Sequence, residues 1–131
     1  MALTSSIGTE HEEAIDAELA LGNATTALSD AAEIGASEEA HEVIVRTTNT
    51  TYTPTGTISL QLQSALTEDG SYADVGGETI VPASIEIVKG VQLARLPIPK
   101  GVNPWIKLLT TTTDANEENK TVSVYYAYSP R

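Results

Sequence analysis

From Thr57 to Leu66 the chain reads TISLQLQSAL, with apolar and polar side chains in strict alternation over most of its length. Ile58, Leu60 and Leu62 fall on one face, and Ser59, Gln61 and Gln63 on the other. Successive side chains of an extended chain point to opposite sides, so this period of two predicts a strand with one face buried. Four more stretches are rich in β-branched residues or alternate: VIVRT (Val43–Thr47), SIEIV (Ser84–Val88), VQLARL (Val91–Leu96) and WIKLLTTT (Trp105–Thr112). TVSVYYAY (Thr121–Tyr128) closes the series, with Val122, Val124, Tyr126 and Tyr128 on a common face. Between these lie turn residues. TEDGSYADVGGE (Thr67–Glu78) holds Asp69-Gly70 and Gly76-Gly77, Lys89-Gly90 precedes Val91, and the polar DANEEN run separates the last two strands.

No helical pattern is placed to cross over between parallel strands. Short alternating strands joined by turns predict an all-β antiparallel sandwich or barrel, the group to which jelly rolls belong. The start of the chain is more ambiguous. EHEEAIDAELAL (Glu10–Leu21) holds good helix formers, yet it fits equally an arm running into a first strand, Ile15–Leu21. The strand reading is the one adopted. It divides the chain into a flexible acidic arm, residues 1–14, and a single domain, residues 15–131.

The charge is one-sided. Net charge is -11, and residues 1–45 carry ten of the eighteen acids and no Lys or Arg. Nucleic-acid phosphates need a cationic surface, so the balance argues against a nucleic-acid partner. It suits a solvated acidic face, or one that meets a basic partner. There is no cysteine, hence no disulfide and no thiolate metal site. The polar N-terminus lacks the basic and apolar regions of a signal peptide, and no apolar run approaches the roughly 20 residues that span a bilayer. The chain therefore reads as made and used in soluble form, without a membrane partner.

Candidate chemistry is sparse. His11 and His41 each sit beside carboxylates, but the position four residues on is Ile15 in one case and Val45 in the other, so no zinc-binding histidine pair forms. Asp114, Asn116 and Glu118 alternate like the start of a calcium loop, but Asn119 and Tyr125 occupy the places of its glycine and bidentate glutamate. Carboxylates such as Glu68 and Asp69 lie in turns, and aromatics that would line a sugar cleft are few. These patterns predict no enzyme activity, no metal, no cofactor and no small-molecule substrate. What stands out is RLPIPKGVNPW (Arg95–Trp105). Proline fixes φ and lacks a donor, so Pro97 and Pro99 should end one strand, Lys100-Gly101 should turn the chain, and Pro104 should aim Trp105 into the next. A stiff hairpin of this kind loses little entropy when a partner holds it. Arg95, Lys100 and Lys107 bring three of the seven bases to it, so it reads either as an ordinary rigid β-turn or as a contact loop for an acidic segment of a neighbouring copy.

The stretches SLQLQSALTEDGSYADVG and VPASIEIVKGVQLARLPIPKGVNPWIKLLTTT resemble the small capsid cement (decoration) proteins of tailed bacteriophages, with the Bordetella-phage type nearest in pattern. The resemblance rests on Leu62-Gln63-Ser64, Glu68-Asp69-Gly70-Ser71, Arg95-Leu96-Pro97-Ile98-Pro99-Lys100-Gly101 and Trp105-Ile106-Lys107-Leu108. LSDAAEIG (Leu28–Gly35) is similar to an early acidic-apolar-Gly turn of that family, which favours a strand before it. The similarity spans about Ile15 to Tyr128. The acidic arm and the DANEEN loop depart from it.

The resemblance implies a jelly-roll-like β-sandwich that forms a homotrimer. It would sit on the outside of an icosahedral head, bridge neighbouring major capsid protein subunits and stabilise the DNA-filled shell. Such a protein would be made in the host cytoplasm and end on the virion. The residues expected to carry trimer or capsid contact are Arg95, Pro97, Pro99, Lys100, Asn103 and Lys107 at the proline segment, and Glu10, Glu12 and Glu13 in the arm. The alternative is a carbohydrate-binding β-sandwich module or head-fibre component, in which Trp105 with Tyr125, Tyr126 or Tyr128 stacks on a sugar. From the cement reading, Lys100→Glu is expected to weaken trimer or shell association more than it lowers the melting temperature. Equal loss of both would contradict it.

Overall fold

The computed structural model describes residues 11–21, 26–34, 40–48, 51–99, 102–113 and 120–128. Among the described residues there are nine strands, in chain order β1 (His11–Ala20), β2 (Thr26–Leu28), β3 (Ala32–Glu33), β4 (Ala40–Thr47), β5 (Ile58–Ala65), β6 (Ala73–Val81), β7 (Gln92–Pro97), β8 (Trp105–Thr112) and β9 (Thr121–Tyr128). Every pairing among them is antiparallel. One sheet has the order β1-β9-β4-β7 and the other β2-β8-β5-β6, with β3 also on β8.

Ser29 makes β2 and β3 one interrupted strand. Its N–H donates to the Leu108 carbonyl at 2.9 Å, and its Oγ accepts the Leu108 N–H at 2.8 Å. One serine thus carries the β8 ladder across the break. With β2 and β3 counted together, the first strand pairs the last, the second the second-last, and so on inward to the β5–β6 pair. This nesting is a long antiparallel hairpin rolled into two sheets, the jelly-roll arrangement.

Alternation decides what lies between the sheets. Ile58, Leu60 and Leu62 of β5 and Ile106 and Leu108 of β8 are 0–1% exposed, and so are Val43 and Val45 of β4 and Val122 and Val124 of β9. Together with Ile15, Leu19, Ala94 and Leu96 they form one apolar cluster. Each such aliphatic side chain contributes about 1.5–3 kcal/mol by leaving water.

Four expectations are corrected. β1 begins at His11, so residues 11–14 pair with β9 rather than belonging to an arm; residues 1–10 lie outside the described residues. The Gly76-Gly77 pair is not a turn but the middle of β6. Leu60 lies opposite Thr79 and Leu62 opposite Val75, so the residues between bulge. Gly76 takes φ 70°, which a side chain disfavours, and the Gln61 amide donates to the Val75 and Gly76 carbonyls at 3.1 and 3.3 Å. Ser84–Val88 is not a strand either: only Ile87 pairs, in a single bridge with Tyr52. Finally, the proline segment is no hairpin, because β7 and β8 belong to different sheets. Residues 100 and 101 lie outside the described residues, and Ile98 and Val102 on either side of them pack against the core.

Removing the Ser29 hydroxyl leaves the Leu108 N–H buried without its acceptor. Ser29→Ala should therefore cost about 1–3 kcal/mol in urea unfolding, whereas Leu28→Ala beside it, at a half-exposed position, should cost less than about 1 kcal/mol.

Candidate contact surfaces

The two sheets have unlike outer faces. On the β1-β9-β4-β7 sheet, Ile44 points away from the core yet is 0% exposed. Its cross-strand neighbours are Tyr125 and Arg95. Arg46 stands 5.8 Å over the Tyr125 ring, and Arg95 pairs with Glu42 through Nη1 and donates from Nε to Gln92 Oε1 at 3.2 Å. Long side chains with polar ends thus cover an aliphatic patch. The other sheet carries Trp105, Lys107 and Leu109 outward from β8, with Gln63 opposite Lys107 and Ala65 opposite Trp105. Lys107 Nζ lies 4.6 Å over the Tyr72 ring, and the Tyr72 hydroxyl donates to the Glu68 carbonyl at 2.9 Å. Burial of the phenol, then the charges of Glu68 and Asp69, raise its pKa above the ordinary value.

The contact residues expected from sequence do not come together. Arg95 and Lys107 lie on opposite sheets, and each is engaged with its own chain. Their closeness in sequence spans the passage between sheets, which the hairpin reading missed. Pro97 is the last residue of the β7 ladder, opposite Glu42; it and Pro99 are exposed, and Asn103 is half-buried. Lys100 and Glu10 lie outside the described residues. Glu12 sits in β1 opposite Ala127, its side chain outside the described set, and Glu13 is exposed opposite Tyr126.

The aromatic platform does not assemble either. Trp105 is half-buried on the outer face of one sheet. Tyr125 lies on the outer face of the other, and Tyr126 packs against the core. The side chain of Tyr128 is outside the described set. Trp105 is only partly exposed, and Ile106 rather than Trp105 takes the inward phase of β8. Among the described residues, no three His, Asp or Glu side chains converge as a metal-binding group.

A different surface emerges at the end of the sandwich where β6 turns into β7. Ile85, Val88 and Val91 are 55%, 50% and 43% exposed, while Ile87 between them is 3% exposed. The sequence signal for this loop was present but pointed elsewhere: IEIVKGV alternates like a strand, and nothing local reveals that only Ile87 finds a partner. Comparison of the sequence with protein-family models and with curated proteins finds no match.

The Arg95–Glu42 pair is solvent-facing, with 39% and 21% of the two side chains exposed. Glu42→Gln, which leaves the Arg95 side chain in place over Ile44, should therefore lower stability by less than about 1 kcal/mol, with the effect shrinking further in high salt.

Proposed function

We propose that this chain is a capsid cement protein: a non-enzymatic virion component that binds the outer surface of an icosahedral head as trimers, bridges major capsid protein subunits and stiffens the shell against packaged DNA. The observation that supports it best is the rolled two-sheet order, β1-β9-β4-β7 over β2-β8-β5-β6, the fold that the resemblance implied. A protein of this kind needs a rigid scaffold with loops held at its ends, not a reaction centre. Its large negative charge keeps free copies apart and soluble before assembly. Binding at many symmetry-related sites lets weak single contacts add to firm attachment.

The test is quantitative mass spectrometry of purified virions from the source of the sequence, together with addition of the purified protein to shells stripped of it. Near-stoichiometric amounts relative to the major capsid protein, and saturable rebinding, are expected. A few copies per particle, or none, would overturn the reading and bring glycan titration of the β-sandwich forward.

A further inference from the structure

The loop between β6 and β7 exposes its aliphatic side chains from a backbone that is locked in place. Ser84 N–H donates to the Pro54 carbonyl at 2.8 Å, and Ile87 and Tyr52 exchange two backbone hydrogen bonds at 2.7 and 3.0 Å. Thr47 Oγ1 donates to the Val88 carbonyl at 2.7 Å, and Lys89 N–H donates to Thr51 Oγ1 at 2.9 Å. Gly90 N–H donates to the Thr47 carbonyl, and Thr47 N–H to that of Val91, at 3.1 and 3.0 Å. Ser84, at φ 68°, holds a conformation that L side chains rarely adopt, and Gly90 takes φ 81°. Ile87 anchors the loop in the core. Ile85, Val88 and Val91 are thereby fixed towards water rather than left there by disorder, as suits a surface that binds with little ordering cost.

Charge indicates what covers it. Four of the five described cations are engaged within the chain: Arg46, Lys107 and Lys120 over tyrosine rings, and Arg95 with Glu42. Among the described residues, Lys89 has no side-chain partner. With exposed Glu86 beside it, the loop is neutral in a chain of net charge -11. On the opposite flank lies β1, which among the described strands pairs on one side only; its exposed residues include Ala14, Ala17 and Ala20, set among Glu13 and Glu18. Small apolar side chains strung along this edge between carboxylates complement an aliphatic loop that carries one ammonium without a side-chain partner among the described residues.

We infer that copies of this chain associate head to tail, with the Ile85–Val91 loop of one copy seated on the β1 edge of the next. The inference rests on the trimeric reading above and names its interface. Donor and acceptor surfaces lie on opposite flanks, so each copy offers one of each and cannot satisfy itself. A heterologous contact of this kind closes into a ring when its rotation allows. Three aliphatic side chains fall well short of the roughly 800 Å² per partner of a stable two-body interface, so closure, with two contacts per copy, supplies the stability.

Sedimentation velocity tests this on the full chain. Wild type is expected as a trimer. The Ile85→Asp/Val88→Asp double variant is expected as a monomer with unchanged circular dichroism and a melting temperature that, unlike the wild type's, does not depend on protein concentration. Lys89→Glu should weaken association several-fold, and Glu18→Lys in the same chain should restore it, since every reversed loop then meets a reversed edge. Glu86→Lys should tighten it without touching the core. A monomeric wild type, a trimer indifferent to the Asp substitutions, or a Lys89→Glu/Glu18→Lys chain as weak as Lys89→Glu alone would overturn the inference. Each of these outcomes is independent of whether the protein occurs on virions, so the cement reading fails or stands by its own stoichiometry.

Discussion

The packing of one aliphatic layer against another holds this molecule together. Ile58, Leu60, Leu62, Ile106 and Leu108 from one sheet meet Val43, Val45, Val122 and Val124 from the other, and all are essentially removed from water. These side chains come from the two central strands of each sheet. The register of each ladder follows, because a slip by one residue would turn an aliphatic row outward and a polar row inward. The bulge at Gly76 and the Ser29 bridge both accommodate that layer. Each lets the chain change course while buried backbone groups keep their partners.

Among the described strands four lie at sheet edges, and each is blunted differently. β1 carries Glu13, Asp16 and Glu18. β7 is six residues long and ends on Pro97, which cannot donate. β6 is bent by its glycine bulge, and the β2–β3 strand is broken at Ser29–Ala31. Uncontrolled edge pairing is thus disfavoured in a chain whose proposed role requires it to be abundant. Asp16 shows how closely this is built in: its carboxylate accepts the Glu18 and Asp30 N–H groups at 3.2 Å, tying the acidic edge to the turn after β2.

Much of the fold was legible wherever alternation ran through a strand buried on one side. TISLQLQSAL, WIKLLTTT and TVSVYYAY lie where their periodicity placed them, because a central strand with one polar face leaves that face visible in sequence. The same signal failed at SIEIV, whose alternation serves a single anchoring isoleucine, and at Gly76-Gly77, where turn residues form a bulge satisfied by the distant Gln61. It failed again at the proline segment. Local chemistry correctly ended β7 at Pro97 and began β8 at Trp105, but it carries no information about which sheet each strand joins. That choice is made by long-range pairing of β7 with β4 and of β8 with β5. The expected cluster of Arg95 and Lys107 dissolved for this reason, and the exposed Ile85–Val91 loop could be seen only once its missing strand partners were known.

The placement of the cations ties charge to assembly. An arginine or lysine laid over a tyrosine ring, or paired with a neighbouring carboxylate, has much of its donor capacity directed inward. In this chain Arg46, Arg95, Lys107 and Lys120 are held so, while exposed acids such as Glu13, Glu18, Asp30 and Glu33 stand free to repel other copies. Like-charge repulsion of this kind acts over a distance of about 10 Å at moderate salt, whereas apolar contact acts only at touching range. A chain of net charge -11, whose acids concentrate in residues 1–45 where no Lys or Arg lies, therefore disfavours encounters between acidic faces and tolerates those led by its neutral, aliphatic places. In the proposed ring, specificity then draws both on the Lys89–carboxylate attraction and on repulsion wherever acidic faces meet, and salt screens the two together.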